Sequence, residues 1–337
     1  MMTITSTTAV PTQPDPGWRR ALASVRKFGA IGPLGSLIVL IVLLSILSPY
    51  FLTVNNLFNV FQQITVLAII ALGATMVIIS GGIDLSVGSV AALSGMIAGV
   101  TFSQVGLPMA VALLLALLAG AAAGGANGLL IVYGKVPPFV ATLATLSIAR
   151  GLTLVLSNGQ PISGFPDWFR ALTSFDIGDI VPAVVILVLV LYALGAWYLK
   201  FRPSGREIYA VGGNEEVARL SGINVGWVKL RIYMIAGALA GLGGLVLTSR
   251  LNSAQPTAGA GLELDVIAAV VIGGTSLSGG VGTVIGTLIG ALIIGVLRNG
   301  LNLLDVSAFW QQVVIGAVIA AAVMIDTLGR HRRRRRT

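Results

Sequence analysis

The chain has 337 residues, of which 56% are hydrophobic and only 10% charged, with a formal net charge of +9. Soluble domains carry roughly 25% charged residues, so a single soluble core is excluded and a chain that crosses a membrane many times is implied. There is no cysteine and the one histidine, His331, lies in the C-terminal tail, which removes disulfides, thiol chemistry, histidine-based metal sites and HExxH-type catalysis.

In chain order, residues 1–17 are rich in Thr, Ser and Pro and read as disordered. With Arg19, Arg20, Arg26 and Lys27 they make residues 1–30 a basic tail. The apolar run from Ile31 to Leu47 is longer than a signal-peptide core and no A-x-A site follows it. It reads as an uncleaved first span. Further apolar stretches follow, giving spans near 31–49, 57–80, 86–103, 108–132, 138–157, 181–199, 230–249, 264–277, 281–299 and 307–326. The expected fold is therefore an all-α polytopic membrane protein of about ten transmembrane helices over residues 31–326, each near the 20 residues that cross a bilayer. The eighth stretch is short and Gly273-Gly274 interrupts it, so it reads as broken or re-entrant. An arginine-rich tail, 327–337, ends the chain.

An even number of spans puts both termini on one side. With that side inside, seventeen of the 21 basic residues are internal and four (Arg150, Arg170, Arg250 and Arg298) are external. The positive-inside rule then predicts cytoplasmic termini. The net charge follows membrane orientation, not nucleic acid, and Arg332–Arg336 suit anionic lipid. Glycines recur at four-residue spacing, as in Gly120/Gly124/Gly128 and Gly237/Gly241, which lets helix backbones approach closely in lipid. Ile79–Gly95 and Ile272–Gly290 echo one another, as an internal repeat would.

One long polar loop, 200–231, interrupts the apolar sequence. Within it Asn214 is a good N-cap after Gly212-Gly213, whose flexibility lets the chain turn, and Glu215 and Glu216 suit a first turn. Glu215 and Arg219 are four apart in the favourable order, and Gly222 sits where a C′ glycine belongs. The segment Gly213, Asn214, Glu215, Glu216, Val217, Ala218, Arg219, Leu220, Ser221, Gly222 thus predicts a short cytoplasmic helix. Val217 and Leu220 share a face with Ile223 just beyond, and that face has something to dock into. It is too narrow to rest stably on headgroups.

No acidic residue falls mid-span in this assignment, so a proton relay has no titratable group to use. Nor is there a GxxxxGK[ST] phosphate loop: Gly134-Lys135 is followed by Val136, and Leu129 stands where the first glycine belongs. Energy for transport must come from a separate motor pushing on the cytoplasmic helix. No nucleophile–base or metal constellation supports an enzyme, so no catalytic, cofactor-binding or metal-ligating residues are expected. The alternative from another class is a stand-alone secondary carrier or channel for a small polar solute.

The run GREIYAVGGNEEVARLSGINV resembles the cytoplasmic coupling segment of ribose/simple-sugar ABC importer permeases. Gly81–Ser89, Asn127–Gly151, Leu264–Leu292 and Asn302–Ile319 are similar to that family too, in the same order, over roughly Leu34 to Asp326. The resemblance implies an inner-membrane permease, homodimeric or paired. Two ABC ATP-binding subunits would use ATP and Mg below it, and an extracytoplasmic sugar-binding protein would deliver substrate. Sugars need hydroxyl partners, which makes Gln63, Asn127, Thr142, Thr145 and Gln311, with Gln62 and Gln312, pathway candidates. The alternative for each is an interhelical hydrogen bond. Asp84 lies in a glycine-flanked turn, where it either shapes a helix break or lines the inner gate; the alternative is a cap for Leu85–Ser89. Arg150, Arg250, Glu263 and Arg298 are candidates for docking the binding protein through charged pairs.

Overall fold

The computed structural model describes residues 31–174, 176–177 and 181–334. The expected tail at 1–30 lies outside the described residues. The described chain is almost wholly helical: α1 (Ile31–Leu47), α2 (Val54–Ile79), α3 (Val87–Ser103), α4 (Met109–Val132), α5 (Pro138–Ser157), α6 (Asp167–Ser174), α7 (Ala183–Phe201), α8 (Pro203–Gly213), α9 (Glu215–Leu220), α10 (Val225–Leu251), α11 (Leu262–Ile272), α12 (Val284–Leu303) and α13 (Ala308–Arg334). Two antiparallel pairs of two-residue strands, Ile162–Ser163 with Ser253–Ala254 and Asp176–Ile177 with Val181–Pro182, tie loops together.

The protein is an all-α membrane protein. Among the described residues six helices (α2, α4, α5, α7, α10 and α12) are long and apolar enough to cross a bilayer by length and composition. Three further apolar helices are shorter, at Gly32–Leu47, Val87–Ser103 and Ala308–Ala321. The stretch read as an interrupted eighth span is the 11-residue α11, which stops at Gly273. The backbone of α13 stays helical to Arg334 and so runs into the segment read as a separate tail.

Two helices form the spindle. Helix α2 is buried on every side from Ile64 to its end at Ile79. Helix α10 lies against it and against α4, with glycine on glycine: Gly120 and Gly124 of α4 meet Gly237, and Gly73 of α2 meets Ala236. Without side chains between them the backbones touch, which is how helices gain dispersion energy where water supplies no hydrophobic drive. Further along, Gly244 meets the Ala91 carbonyl of α3 and Gly95 meets Thr248. Helix α3 is therefore paired with the C-terminal half of α10.

The chain between α10 and α11 dips beside α3. Ala254 lies against Gly99, whereas Gly259 lies against Gly88, near the start of α3. Arg150 holds this descent by donating to the carbonyls of Pro256 (3.0 Å) and Ala258 (2.9 Å). The starts of α3 and α11 are thus brought together inside the protein, and irregular backbone at such depth is tolerated only where protein or a water-filled cavity surrounds it. The Ile79–Gly95 and Ile272–Gly290 segments share a local form, a helix end followed by a turn and a new helix, and their turns touch: Gly280 N–H donates to Ile79 C=O at 2.8 Å.

Gly237→Val would force a branched side chain into the α4 backbone, and overpacking of this kind costs about 1–3 kcal/mol. The expected result is a clear drop in detergent unfolding temperature. Gly151→Val, where nothing lies within 4 Å of the new Cβ, is the control that should change little.

Candidate functional site

Two regions and one buried network hold most of the residues singled out in the sequence. The first region is the 200–231 loop. Pro203 opens α8 at a first-turn position, where its missing N–H and fixed φ fit. The sequence predicts only one helix in the loop, and α8 is a second. It ends at Asn214, whose extended backbone (φ −162°, ψ 109°) turns the chain. The turn is therefore made at Asn214 and not by Gly212-Gly213, which finish α8. Asn214 Oδ1 accepts from the N–H groups of Glu216 and Val217, both at 3.0 Å, and starts α9 as expected. At the other end Gly222 (φ +83°) allows Ile223 N–H to reach Ala218 C=O at 3.1 Å.

Glu215 braces α9 from two sides. Its carboxylate meets Arg219 at 3.3 Å and Lys229 of α10 at 2.6 Å. Exposed pairs contribute little each, so the seat of α9 rests more on its buried Ala218. The expected apolar face is divided. Leu220 and Val217 point outward, 83% and 57% exposed, while Ile223 packs back against the core. The outward pair touches nothing that would explain two bare aliphatic side chains on a polar loop.

Behind α9, α8 is seated on the turn region. Gly212 lies on the carbonyl of Ile79, where a Cβ would overlap that atom. The same carbonyl accepts from Gly280. Tyr209 donates to the Gly282 carbonyl at 3.0 Å, and burial pushes its phenol up from its ordinary pKa, so it stays a neutral donor. Arg231 of α10 closes the seat by donating to Ser204 C=O at 3.0 Å and to Glu207 at 3.4 Å.

The buried network takes three of the seven pathway candidates, Asn127, Thr142 and Thr145, together with Asp84. Asp84 accepts from both the backbone N–H (2.8 Å) and the hydroxyl (2.6 Å) of Ser86. It bonds a residue ahead of α3, so it shapes the turn and does not cap the helix. Asn127 donates to Ser86 Oγ at 3.0 Å and accepts from Thr145 at 2.6 Å. Thr142 donates to the Pro138 carbonyl at 3.0 Å, with a longer contact to Ile83 C=O. All four side chains are buried and bonded to one another or to nearby backbone, so they cross-link α4 and α5 to the turn.

The second region is a cleft of about 720 Å³ at the end of the bundle away from α9. It gathers Gln63 of α2, Arg250 of α10, Asp265 of α11, Arg298 of α12, and Gln311 and Gln312 of α13. Arg298 donates to Asp265 at 2.7 Å, and Arg250 donates to the Gln62 carbonyl at 3.2 Å. Gln311 is held by Asn302 (2.6 Å) and the Val306 carbonyl (2.8 Å), whereas Gln312 is exposed. Of the four charges read as docking candidates, two line this cleft. Arg150 instead anchors the descending segment, and Glu263 turns one oxygen against Gly88, buried and without a hydrogen-bond partner. Asp265, given no role from sequence, is the partner that Arg298 requires. Charged groups at membrane depth face water or protein, not lipid, so the open side of the cleft is not a lipid-facing surface.

The chain matches the family described as branched-chain amino acid transport system / permease component over residues 56–323. It is 49% identical over 283 residues to a ribose import permease protein of Haemophilus influenzae, covering 83% of this chain and 87% of that protein. It is 50% identical over 304 residues to the ribose import permease protein of Bacillus subtilis (88% and 92%). It is 43% identical over 281 residues to a D-allose transport system permease protein of Escherichia coli (83% and 85%). The chain belongs to the ribose/simple-sugar ABC permease family. No solved structure matches it. Within this permease, α9 falls in the segment whose sequence resembled the family's coupling region, and the cleft falls at the other end.

Asp265→Asn would leave Arg298 without its carboxylate. The expected loss is about 1.5–3 kcal/mol, the range for a hydrogen bond to a charged group, read as a lower unfolding temperature in detergent. Adding Arg298→Gln should cost little more, because the pair is already broken. Strictly additive losses would show that the two residues are not coupled.

Proposed function

We propose that this chain is the membrane-spanning subunit of an ATP-driven importer for a monosaccharide or related polyol, in the inner membrane of a bacterium. Both termini are cytoplasmic and the chain makes ten crossings, with the α11 region as a broken one. Two copies, or this chain and a related one, form the pathway. A separate ABC subunit binds ATP and Mg, and an external sugar-binding protein delivers the solute. The permease makes and breaks no covalent bond.

The observation that carries the reading is α9: a capped helix on a polar loop, with Leu220 and Val217 bare. It follows directly on α8, whose end at Gly212–Gly213 lies against the end of α2 and the 273–283 turn. A push on α9 therefore reaches both turns that precede new helices, and alternating access follows from tilting those helices. At the far end, Gln63, Gln311, Gln312 and the Arg298–Asp265 pair offer a sugar both donors and acceptors. Asp84, Asn127, Thr142 and Thr145 serve as the fixed wall of the pathway. Arg250 and Arg298, at the cleft mouth, are the charges that meet the binding protein. The relatives named as ribose import permeases make ribose the first sugar to test.

The test is ATP-dependent ribose uptake in proteoliposomes that hold the permease, its ATPase subunit and its binding protein. Leu220→Asp should weaken ATPase association by roughly 30-fold, as for a hot-spot residue worth about 2 kcal/mol, and abolish uptake while the permease stays folded. Uptake by the permease alone, indifferent to ATP and to this substitution, would replace the importer with a carrier.

A further inference from the structure

Between α9 and the α4–α5 turn lies a second cleft, of about 520 Å³. Three cations line it: Lys135 from the turn, Arg219 from α9 and Lys229 from α10. Only one carboxylate, Glu215, is present among its lining residues, and it is already shared between Arg219 and Lys229. Gly226, in the first turn of the 27-residue α10, also lines it, so the positive end of that helix adds to the field.

Lys135 is set apart by its backbone. Among the described residues four non-glycine residues have positive φ: Asn158, Asn252, Asp305 and Lys135. Three are of the types that tolerate the left-handed region, and lysine is not. Glycine would sit there without strain. The strained position aims no apolar group into the protein, because Lys135 is exposed. What it supplies to the cleft is charge.

The depth of the cleft is marked by aromatic side chains. Tyr133, two residues before Lys135, is 74% exposed, and Trp227, two before Lys229, is 55% exposed. Both sit where a long apolar helix ends or begins, the level at which Tyr and Trp meet headgroups. A surplus of cations at that level suits a phosphodiester.

We propose that this cleft binds the phosphate of an anionic phospholipid headgroup, which bridges Lys135 of the α4–α5 turn to Arg219 of α9. The lipid becomes part of the seat of α9, beside the Ala218 contact and the Glu215 pairs. The assignment does not depend on the sugar, and the binding measurement does not depend on ATP.

The full-length chain is purified in detergent and titrated with phosphatidylglycerol, with phosphatidylcholine as the neutral comparison, and bound lipid is counted by native mass spectrometry. Lys135→Gln should weaken the tightest phosphatidylglycerol by about fivefold, the effect of one basic residue at an anionic surface. Lys135→Arg should restore it, and Lys200→Gln, a basic residue outside the cleft, should leave it unchanged. Equal retention in wild type and Lys135→Gln, or equal loss in Lys135→Gln and Lys200→Gln, overturns the site. A parallel titration with inorganic phosphate separates the sources. Lys135-dependent binding of phosphate with none of phosphatidylglycerol assigns the cleft to a free anion and overturns the lipid.

Discussion

One main-chain hydrogen bond organises the end of the bundle that carries α9. Ile79 ends α2, which is buried on every side from Ile64 onward, and its carbonyl accepts from Gly280 while Gly212 lies against it. Three segments distant in sequence meet at one atom. A Cβ at 212 would displace the contact, so α8, and with it α9, keeps its place by the absence of a side chain. The Tyr209 bond to Gly282 repeats the link a few ångströms away. Backbone contacts of this kind allow little slack, because no flexible side chain lies between the parts to absorb a shift.

The same economy explains where polar groups lie. Inside the bundle each one costs free energy unless bonded, and Asp84, Ser86, Asn127 and Thr145 satisfy one another in a chain. At the opposite end the charges are gathered into an open cleft, with Arg298 and Asp265 paired. Polar residues that look alike in sequence therefore do two jobs, fixing a turn or facing solvent. Which job falls to which is decided by the neighbouring helix.

This is also the limit of what the sequence reveals. Apolar run lengths announced the membrane helices, and Asn214 with Glu215 and Gly222 announced α9, because capping is local. The break near Gly273 was visible for the same reason. Helix α8 was hidden: its glycines and charges resemble a loop, and its helicity depends on burying Ile208 and Val211 against the bundle. The side on which Ile223 falls, the partner of Arg298 and the division of the polar candidates all depend on contacts between residues far apart in sequence. The anchoring of residues 252–261 by Arg150 leaves no local signature at all.

Helix α9 has six residues, fewer than a helix needs to persist in water by itself. Cut from the protein, the segment would be a disordered peptide. Its shape is borrowed from Ala218 in its seat and from Lys229 of α10, and so from a bundle that has already folded. In the proposed importer the outward display of Leu220 would then report assembly: a chain only partly inserted in the membrane would offer no such surface to an ATPase subunit.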